Sequence, residues 1–322
     1  MILNFLLFIA GVLLIIGGAN YLTEGAAFLA RKIGVTPLVV GLTVVAFGTS
    51  APELVVSLTS ALKGSADIAV GNVVGSNIFN ILMITGIAAM ITPLSVTRGT
   101  IYKEIPLMIL SFVVMAVMCM DSYFDGSLAL GGNVITRSEG LILIAFFLIF
   151  LSYTFSIAKK HSGPVTEPSH KYPVWLAIVF LVGGIAGLIF GGNLFVDSSV
   201  KIARGFGVSE AFIGLTLVAF GTSLPELATS IVAALKKEHD IAIGNVVGSS
   251  LFNVFSVLGI SASISPIHVS GITLIDLMVM IFSGLLLYLV GVFFGDKTIK
   301  RSEGTVLVLV FILYMVYLGI NL

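Results

Sequence analysis

The chain has 322 residues, sixteen Lys and Arg against sixteen Asp and Glu, 58% hydrophobic and only 10% charged residues, and a mean hydropathy of +1.16. Soluble domains carry about 25% charged residues, so this composition excludes a water-soluble globule, and its hydrophobicity excludes a disordered chain. What remains is an integral membrane protein with no basic face for nucleic acid.

Ten apolar runs are each long enough, at about 20 residues, to cross a bilayer. In chain order they cover roughly 2–23, 37–62, 68–92, 101–120, 139–158, 173–200, 210–235, 241–265, 272–294 and 303–321. They are apolar all round rather than alternating, which argues for helices and against a barrel. The first run lacks a basic leader and a small-residue cleavage site, so it reads as a retained helix. The expected fold is an all-α polytopic membrane protein with ten transmembrane helices. With the amino terminus outside, Arg31, Lys32, Arg98, Lys103, Lys159, Lys160, Lys171, Lys236, Lys237, Lys297, Lys300 and Arg301 fall in inner loops, leaving Lys63, Arg137, Lys201 and Arg204 outside. Twelve against four follows the positive-inside rule, so both termini are expected outside the cell (inner) membrane.

The chain is written twice. Gly41–Asn80 and Gly214–Asn253 align at a constant offset of 173 with 27 of 40 positions identical. Asn20 echoes Asn193, Arg31 echoes Arg204, and Arg137-Ser-Glu-Gly recurs at Arg301. Residues 1–158 and 173–322 are therefore expected to be two five-helix repeats, joined by a cytoplasmic linker at 159–172. Five is odd, so equivalent residues face opposite sides of the membrane and the repeats are inverted, an arrangement common in secondary transporters.

Each copy carries G-T-S-x-P-E inside an apolar run: Thr49, Ser50, Pro52 and Glu53, then Thr222, Ser223, Pro225 and Glu226. Proline breaks the helix and should free carbonyls near Ala46–Gly48 and Ala219–Gly221, which at membrane depth must face protein, water or an ion. A second element, G-N-V-V-G-S-x-x-x-N, supplies Ser76 and Asn80, then Ser249 and Asn253, each pair on one helix face. Asn72 and Asn245, a turn earlier, read as helix–helix hydrogen-bonding residues. Pooled, the set is all oxygen, which suits hard cations, and two carboxylates match one divalent ion. Lone Cys119 and four histidines in polar stretches, His161, His170, His239 and His268, offer no thiolate or imidazole centre. Glu24 and Asp197 lie at span ends and read as interfacial, Lys236–Asp240 reads as a solvated loop, and the R-S-E-G pair as helix starts with Ser138 and Ser302 near the cap.

The paired motifs resemble the alpha-repeats of the sodium/calcium exchangers, within the cation/calcium exchanger superfamily, in a compact prokaryotic form without a large inserted regulatory domain. The resemblance implies sodium/calcium antiport by alternating access. It puts the ions in a core of spans 2, 3, 7 and 8, with spans 1 and 6 sliding across it. It implies calcium held by Glu53, Glu226, Thr49 and Thr222, and sodium held by Ser50, Ser223, Ser76, Ser249 and the carbonyls of Ala46 and Ala219. Asn80 and Asn253 would line a middle site. Potassium-dependent relatives carry Asp where this chain has Asn253, so potassium-independent, electrogenic exchange is expected. The glycines of spans 1 and 6, including Gly11, Gly18, Gly184 and Gly191, fit close helix contact. Proton/calcium exchange is the nearest alternative and a cation channel a more distant one. No catalytic motif points to an enzyme. The expected partners are calcium, sodium and the bilayer, with no cofactor and no protein partner implied.

Overall fold

The computed structural model describes residues 2–63, 66–124, 132–160, 173–206, 219–269, 271–293 and 297–321. Among these, eight helices are long and apolar enough to span a membrane. They are α1 (Ile2–Ile33), α4 (Ile68–Ile91), α5 (Thr100–Met118), α6 (Arg137–Ala158), α7 (Val174–Ala203), α9 (His239–Ile264), α10 (Leu274–Phe293) and α11 (Arg301–Ile320). A further span is divided into α2 (Pro37–Thr49) and α3 (Ala51–Leu62), bent by 47°. The shorter α8 (Leu224–Leu235) corresponds to the second half of the run at 210–235; residues 207–218 of that run lie outside the described residues.

The bend follows from the sequence. Pro52 has no N–H for the carbonyl four residues back, and its ring excludes that carbonyl sterically. Ser50 accordingly takes φ −84°, ψ 7°, and Ser223, before Pro225, takes φ −90°, ψ 7°. The two copies thus break in the same way. α1 runs about ten residues past its apolar run because Ala26, Ala27 and Ala30 continue the helix after its hydropathy falls. It ends where Gly34 adopts φ +76°, with Val35 N–H reaching Ala30 O at 3.0 Å, a Schellman closure that glycine's missing Cβ permits.

Burial separates the helices into an inside and an outside. The apolar window of α9 is 100% buried and that of α4 is 72% buried, whereas those of α1, α6, α7 and α11 are 17–28% buried. The lipid-facing shell therefore surrounds α4 and α9, the helices that carry the second motif. Each contains a widened π-helical stretch, Phe79–Ile84 and Asn253–Leu258. Such stretches displace the hydrogen-bond ladder and often mark functional positions. Phe79 meets Phe220 and Phe311 at ring separations of 5.1 and 5.6 Å; its repeat counterpart Phe252 meets Phe47 and Phe147 at 5.3 and 5.5 Å. Equivalent aromatic clusters therefore wedge each broken segment against the core.

α1 and α7 lie side by side in close contact. A Cβ built on Gly18 would sit 2.8 Å from Gly184 O, and one on Gly184 would sit 2.6 Å from Leu22 N. α7 also crosses both breaks: Ile185 lies over Gly48 and Val196 over Gly221, so close that a Cβ would clash at 2.5 and 2.4 Å.

Two short antiparallel pairs that hydropathy could not reveal tie loops together at opposite ends of α5. Leu94–Ser95 (β1) pairs with Thr298–Ile299 (β4), and Val134–Ile135 (β2) pairs with Ile267–His268 (β3). The R-S-E-G starts are capped two residues before the serines. Thr136 N–H and Oγ1 both donate to Glu139 Oε2, and Lys300 N–H donates to Glu303 Oε2. Thr136 with Glu139 is a capping box.

Candidate functional site

The two breaks face each other across the core. Ser50 Oγ donates to Glu226 Oε1 at 2.8 Å, and Ser223 Oγ donates to Glu53 Oε1 at 3.0 Å. Each copy's hydroxyl thus holds the other copy's carboxylate. Ser76 Oγ lies 3.5 Å from Glu53 Oε1 and 3.0 Å from Ser223 Oγ, and Ser249 Oγ lies 3.4 Å from Glu226 Oε1. Glu53, Glu226, Ser50, Ser76, Ser223 and Ser249 are all buried. The first motif's serines and carboxylates and the second motif's serines therefore form one cluster.

Asparagines set the frame. Asn72 Nδ2 donates to Glu53 O (3.2 Å) and Ser57 Oγ (2.9 Å); Asn245 Nδ2 donates to Glu226 O (3.3 Å) and Ser230 Oγ (3.0 Å). These are the helix-to-helix bonds expected of the pair, and they fix the turn bearing each glutamate. The Oδ1 atoms reach across: Thr49 Oγ1 donates to Asn245 Oδ1 (3.1 Å) and Thr222 Oγ1 to Asn72 Oδ1 (3.4 Å). Both threonine hydroxyls thus donate their hydrogen to an amide, which leaves the oxygen lone pairs available to a cation, and Thr222 is only half-buried.

Several buried polar atoms in the cluster have no protein partner. They are Glu53 Oε2, Glu226 Oε2, both amide atoms of Asn80 and Asn253 Oδ1. An unpartnered buried polar atom costs about 1–3 kcal/mol, and more if charged. Two carboxylates in such a place demand positive charge, and among the described residues no cationic side chain bonds to either. Oxygen donors with spare lone pairs are what a hard cation requires.

The carbonyls differ between the copies. Ala46 O accepts Ser50 N–H at 3.0 Å, so it is not freed by the break as the proline argument anticipates. Ser223 N–H donates instead to Phe220 O at 3.2 Å, which releases Ala219 O from that bond. One residue escaped the sequence reading. Buried Asn77 accepts from Asn253 Nδ2 at 3.4 Å and so turns Asn253 Oδ1 away from itself. Its only trace is that Asn77 and Ser250 differ directly after a run, Gly71–Ser76 and Gly244–Ser249, that repeats without change.

A cavity of about 340 Å³ lies beside the two breaks and reaches Thr222 at the edge of the cluster, whose serines and glutamates stay buried behind its wall. Ala51, Pro52, Val55 and Val56 line one wall, Asn193, Val196 and Asp197 of α7 another, and Thr222 and Pro225 its floor. On the opposite side the equivalent space is closed, because α1 packs directly on α8 while α7 makes no comparable contact with α3.

Buried spans, broken helices and an all-oxygen cluster reached by a cavity define a polytopic membrane transporter for cations. The chain belongs to the sodium/calcium exchanger protein family, whose profile matches residues 3–156 and 176–319. It is 40% identical to CaxA of Alkalimonas amylolytica over 88% of this chain and 89% of that one. It is 36% identical to the inner membrane protein YrbG of Escherichia coli over 83% and 81%. Among solved structures, the sodium-calcium exchanger NCX_Mj, soaked with Na+ and Ca2+, superposes with a TM-score of 0.84 at 30% identity, covering 98% of both chains. The protein is thus a multi-pass membrane transporter of the cation/calcium exchange class and not an enzyme.

Proposed function

We propose that the protein is a sodium-driven calcium antiporter working by alternating access. Calcium would sit between Glu53 and Glu226 with Thr49 and Thr222. Sodium would use Ser50, Ser76, Ser223, Ser249 and the carbonyls of Ala46 and Ala219, and Asn80 and Asn253 would line a middle position. The observation that carries this reading is the crossed pair of Ser–Glu bonds: an ion held there touches both halves at once. The half-cycles can then differ only by which charge fills the cluster.

The same reading takes the chain as ten spans in two inverted halves, 1–158 and 173–322, joined at 159–172, with both termini outside the inner membrane. The loop pairings support that topology. β1 and β4 lie in loops assigned to the inside and β2 and β3 in loops assigned outside. NCX_Mj is named a sodium-calcium exchanger, and YrbG an inner membrane protein, which favours the same ions and location here.

The test is calcium uptake by purified protein in liposomes under imposed sodium, proton or potassium gradients. Uptake driven by outward sodium alone is expected. Uptake driven by protons without sodium would replace the reading with proton/calcium exchange on the same carboxylates, and uncoupled flux would indicate a channel.

A further inference from the structure

Closure at one end of the molecule is held by charged residues whose repeat counterparts stand apart at the other. Lys236, the residue capping α8, donates through Nζ to Asn20 O at 3.0 Å and lies 3.6 Å from Glu24 Oε2, both on α1. This contact pins α1 over the inner side of the site, where α1 packs on α8. Subtracting 173 from Lys236 gives Lys63; adding 173 to Asn20 and Glu24 gives Asn193 and Asp197. All three positions keep their chemistry: lysine, asparagine and a carboxylate.

The counterpart contact is not made. Asn193 and Asp197 line the open cavity, and among the described residues neither Lys63 nor Asp197 has an ionic partner. Yet Lys63 is ready for it. It caps α3 with φ −84°, ψ 0°, against φ −80°, ψ 1° for Lys236 at the end of α8. The helix, its terminal residue and the backbone conformation are the same; only the partner helix stands away.

We propose that these residues form two alternating latches. Lys236 with Glu24 and Asn20 O holds the inner side shut in the state described here. Lys63 with Asp197 and Asn193 O shuts the outer side in the opposite state, when α7 has closed onto α3 and the inner latch has opened. The two cannot both be engaged with a path open, so each latch stabilises one access state. The inner side has a second tie, Arg31 to Glu238. The residue 173 before Glu238 is Ser65, so that tie has no acidic counterpart outside, and the resting population leans toward outward access. Because they are partly exposed, with Lys236 and Glu24 side chains 31% and 34% accessible, each latch shifts the ratio of states by about two- to fivefold rather than by orders of magnitude.

The inference rests on the proposed antiport and its topology, and its test separates the two. Val56, on the cavity wall, is replaced by Cys in a Cys119→Ser background, and its reaction with an impermeant maleimide is timed from outside in right-side-out vesicles. Lys236→Gln is expected to slow labelling by up to about threefold, the fall in outward fraction that a two- to fivefold shift of the ratio produces in a population leaning outward. Lys63→Gln is expected to leave labelling as fast or faster, because its contact belongs to the closed state. Lys236→Arg, which keeps both the positive charge and N–H donors for Glu24 and Asn20 O, should keep the rate that Lys236→Gln lowers. Unchanged labelling in Lys236→Gln, or labelling slowed as much in Lys236→Arg, overturns the latch. Calcium uptake is measured on the same vesicles. Normal labelling shifts without sodium-coupled uptake would refute the antiport reading and leave the latch standing.

Discussion

Glu226→Gln isolates the charge from the shape. The glutamate is completely buried, its Oε1 takes hydroxyl bonds from Ser50 at 2.8 Å and Ser249 at 3.4 Å, and its Oε2 has no partner. Glutamine keeps the volume and an oxygen for Ser50, so folding should survive. What it removes is half of the negative charge offered to a divalent ion, and it can turn an amide N–H toward the place where that ion would bind. Removing one partner of a buried charge pair costs about 3–5 kcal/mol, and each 1.4 kcal/mol is about tenfold. Calcium affinity should therefore fall by about two to four orders of magnitude. Radioactive calcium uptake into sodium-loaded liposomes reads the loss, and a thermal unfolding scan in detergent checks that the protein is intact. Glu53→Gln should match it, because Ser223 bonds Glu53 as Ser50 bonds Glu226. Uptake within tenfold of the parent protein by either variant, at calcium well below saturation, would show that the carboxylate pair does not hold the ion.

Ser50→Ala and Ser223→Ala each delete one hydrogen bond to a buried carboxylate, worth about 1.5–3 kcal/mol, and should each weaken calcium uptake about ten- to hundredfold; unequal losses of more than tenfold would contradict the crossed geometry. Gly184→Ala drives a Cβ to 2.6 Å from Leu22 N, a backbone atom that cannot yield, so it should destabilise the α1–α7 contact by about 1–3 kcal/mol and lower the unfolding temperature. Gly183→Ala, with nothing within 4 Å, should not. In a Cys119→Ser background, Lys63→Cys should react with an impermeant reagent from outside and Lys160→Cys should not; the reverse pattern overturns the topology. Sodium-driven calcium flux should respond to a clamped membrane potential and ignore potassium, since Asn253 adds no charge to the two glutamates; flux that needs potassium would mean a transported ion is missing from the count.

Among the described residues, the eight long spans, the broken one and the cluster are legible because all rest on strong local signals. A run of apolar residues must be a helix in lipid, and a proline beside a glutamate at membrane depth, repeated at an offset of 173, has few structural excuses. Span ends were less visible: hydropathy reports where lipid stops, whereas α1 continues until Gly34 closes it. The π-helical turns at Asn80 and Asn253 leave no mark in composition. Neither do contacts between distant elements, so Lys236–Asp240 read as solvated although Lys236 binds α1 at Asn20 and Glu24 and Glu238 binds it at Arg31. Asn77 was hidden for a different reason. A repeat marks the residues that match, and Asn77 acts at a position where the copies differ.

Near-identity between the halves also gives meaning to their differences. Two segments share Gly-Thr-Ser-x-Pro-Glu and the same break at Ser50 and Ser223, yet one carbonyl is engaged and the other released. Ser50 N–H keeps Ala46 O, whereas Ser223 N–H has moved to Phe220 O. The ring pairs at the two breaks differ in the same sense, with Phe47 edge-on to Phe252 at 79° and Phe220 stacked on Phe79 at 24°. The closed side has α1 against α8 and the open side has α7 away from α3. Each copy therefore holds an arrangement that its twin does not, and alternating access as proposed above would require a free-energy difference between them small enough for ion occupancy to reverse. Under the proposed mechanism the exchange of those arrangements is the transport step. Ser223 N–H would return to Ala219 O as Ser50 N–H leaves Ala46 O, so the sodium-ligand carbonyl predicted for each copy becomes available on only one side at a time.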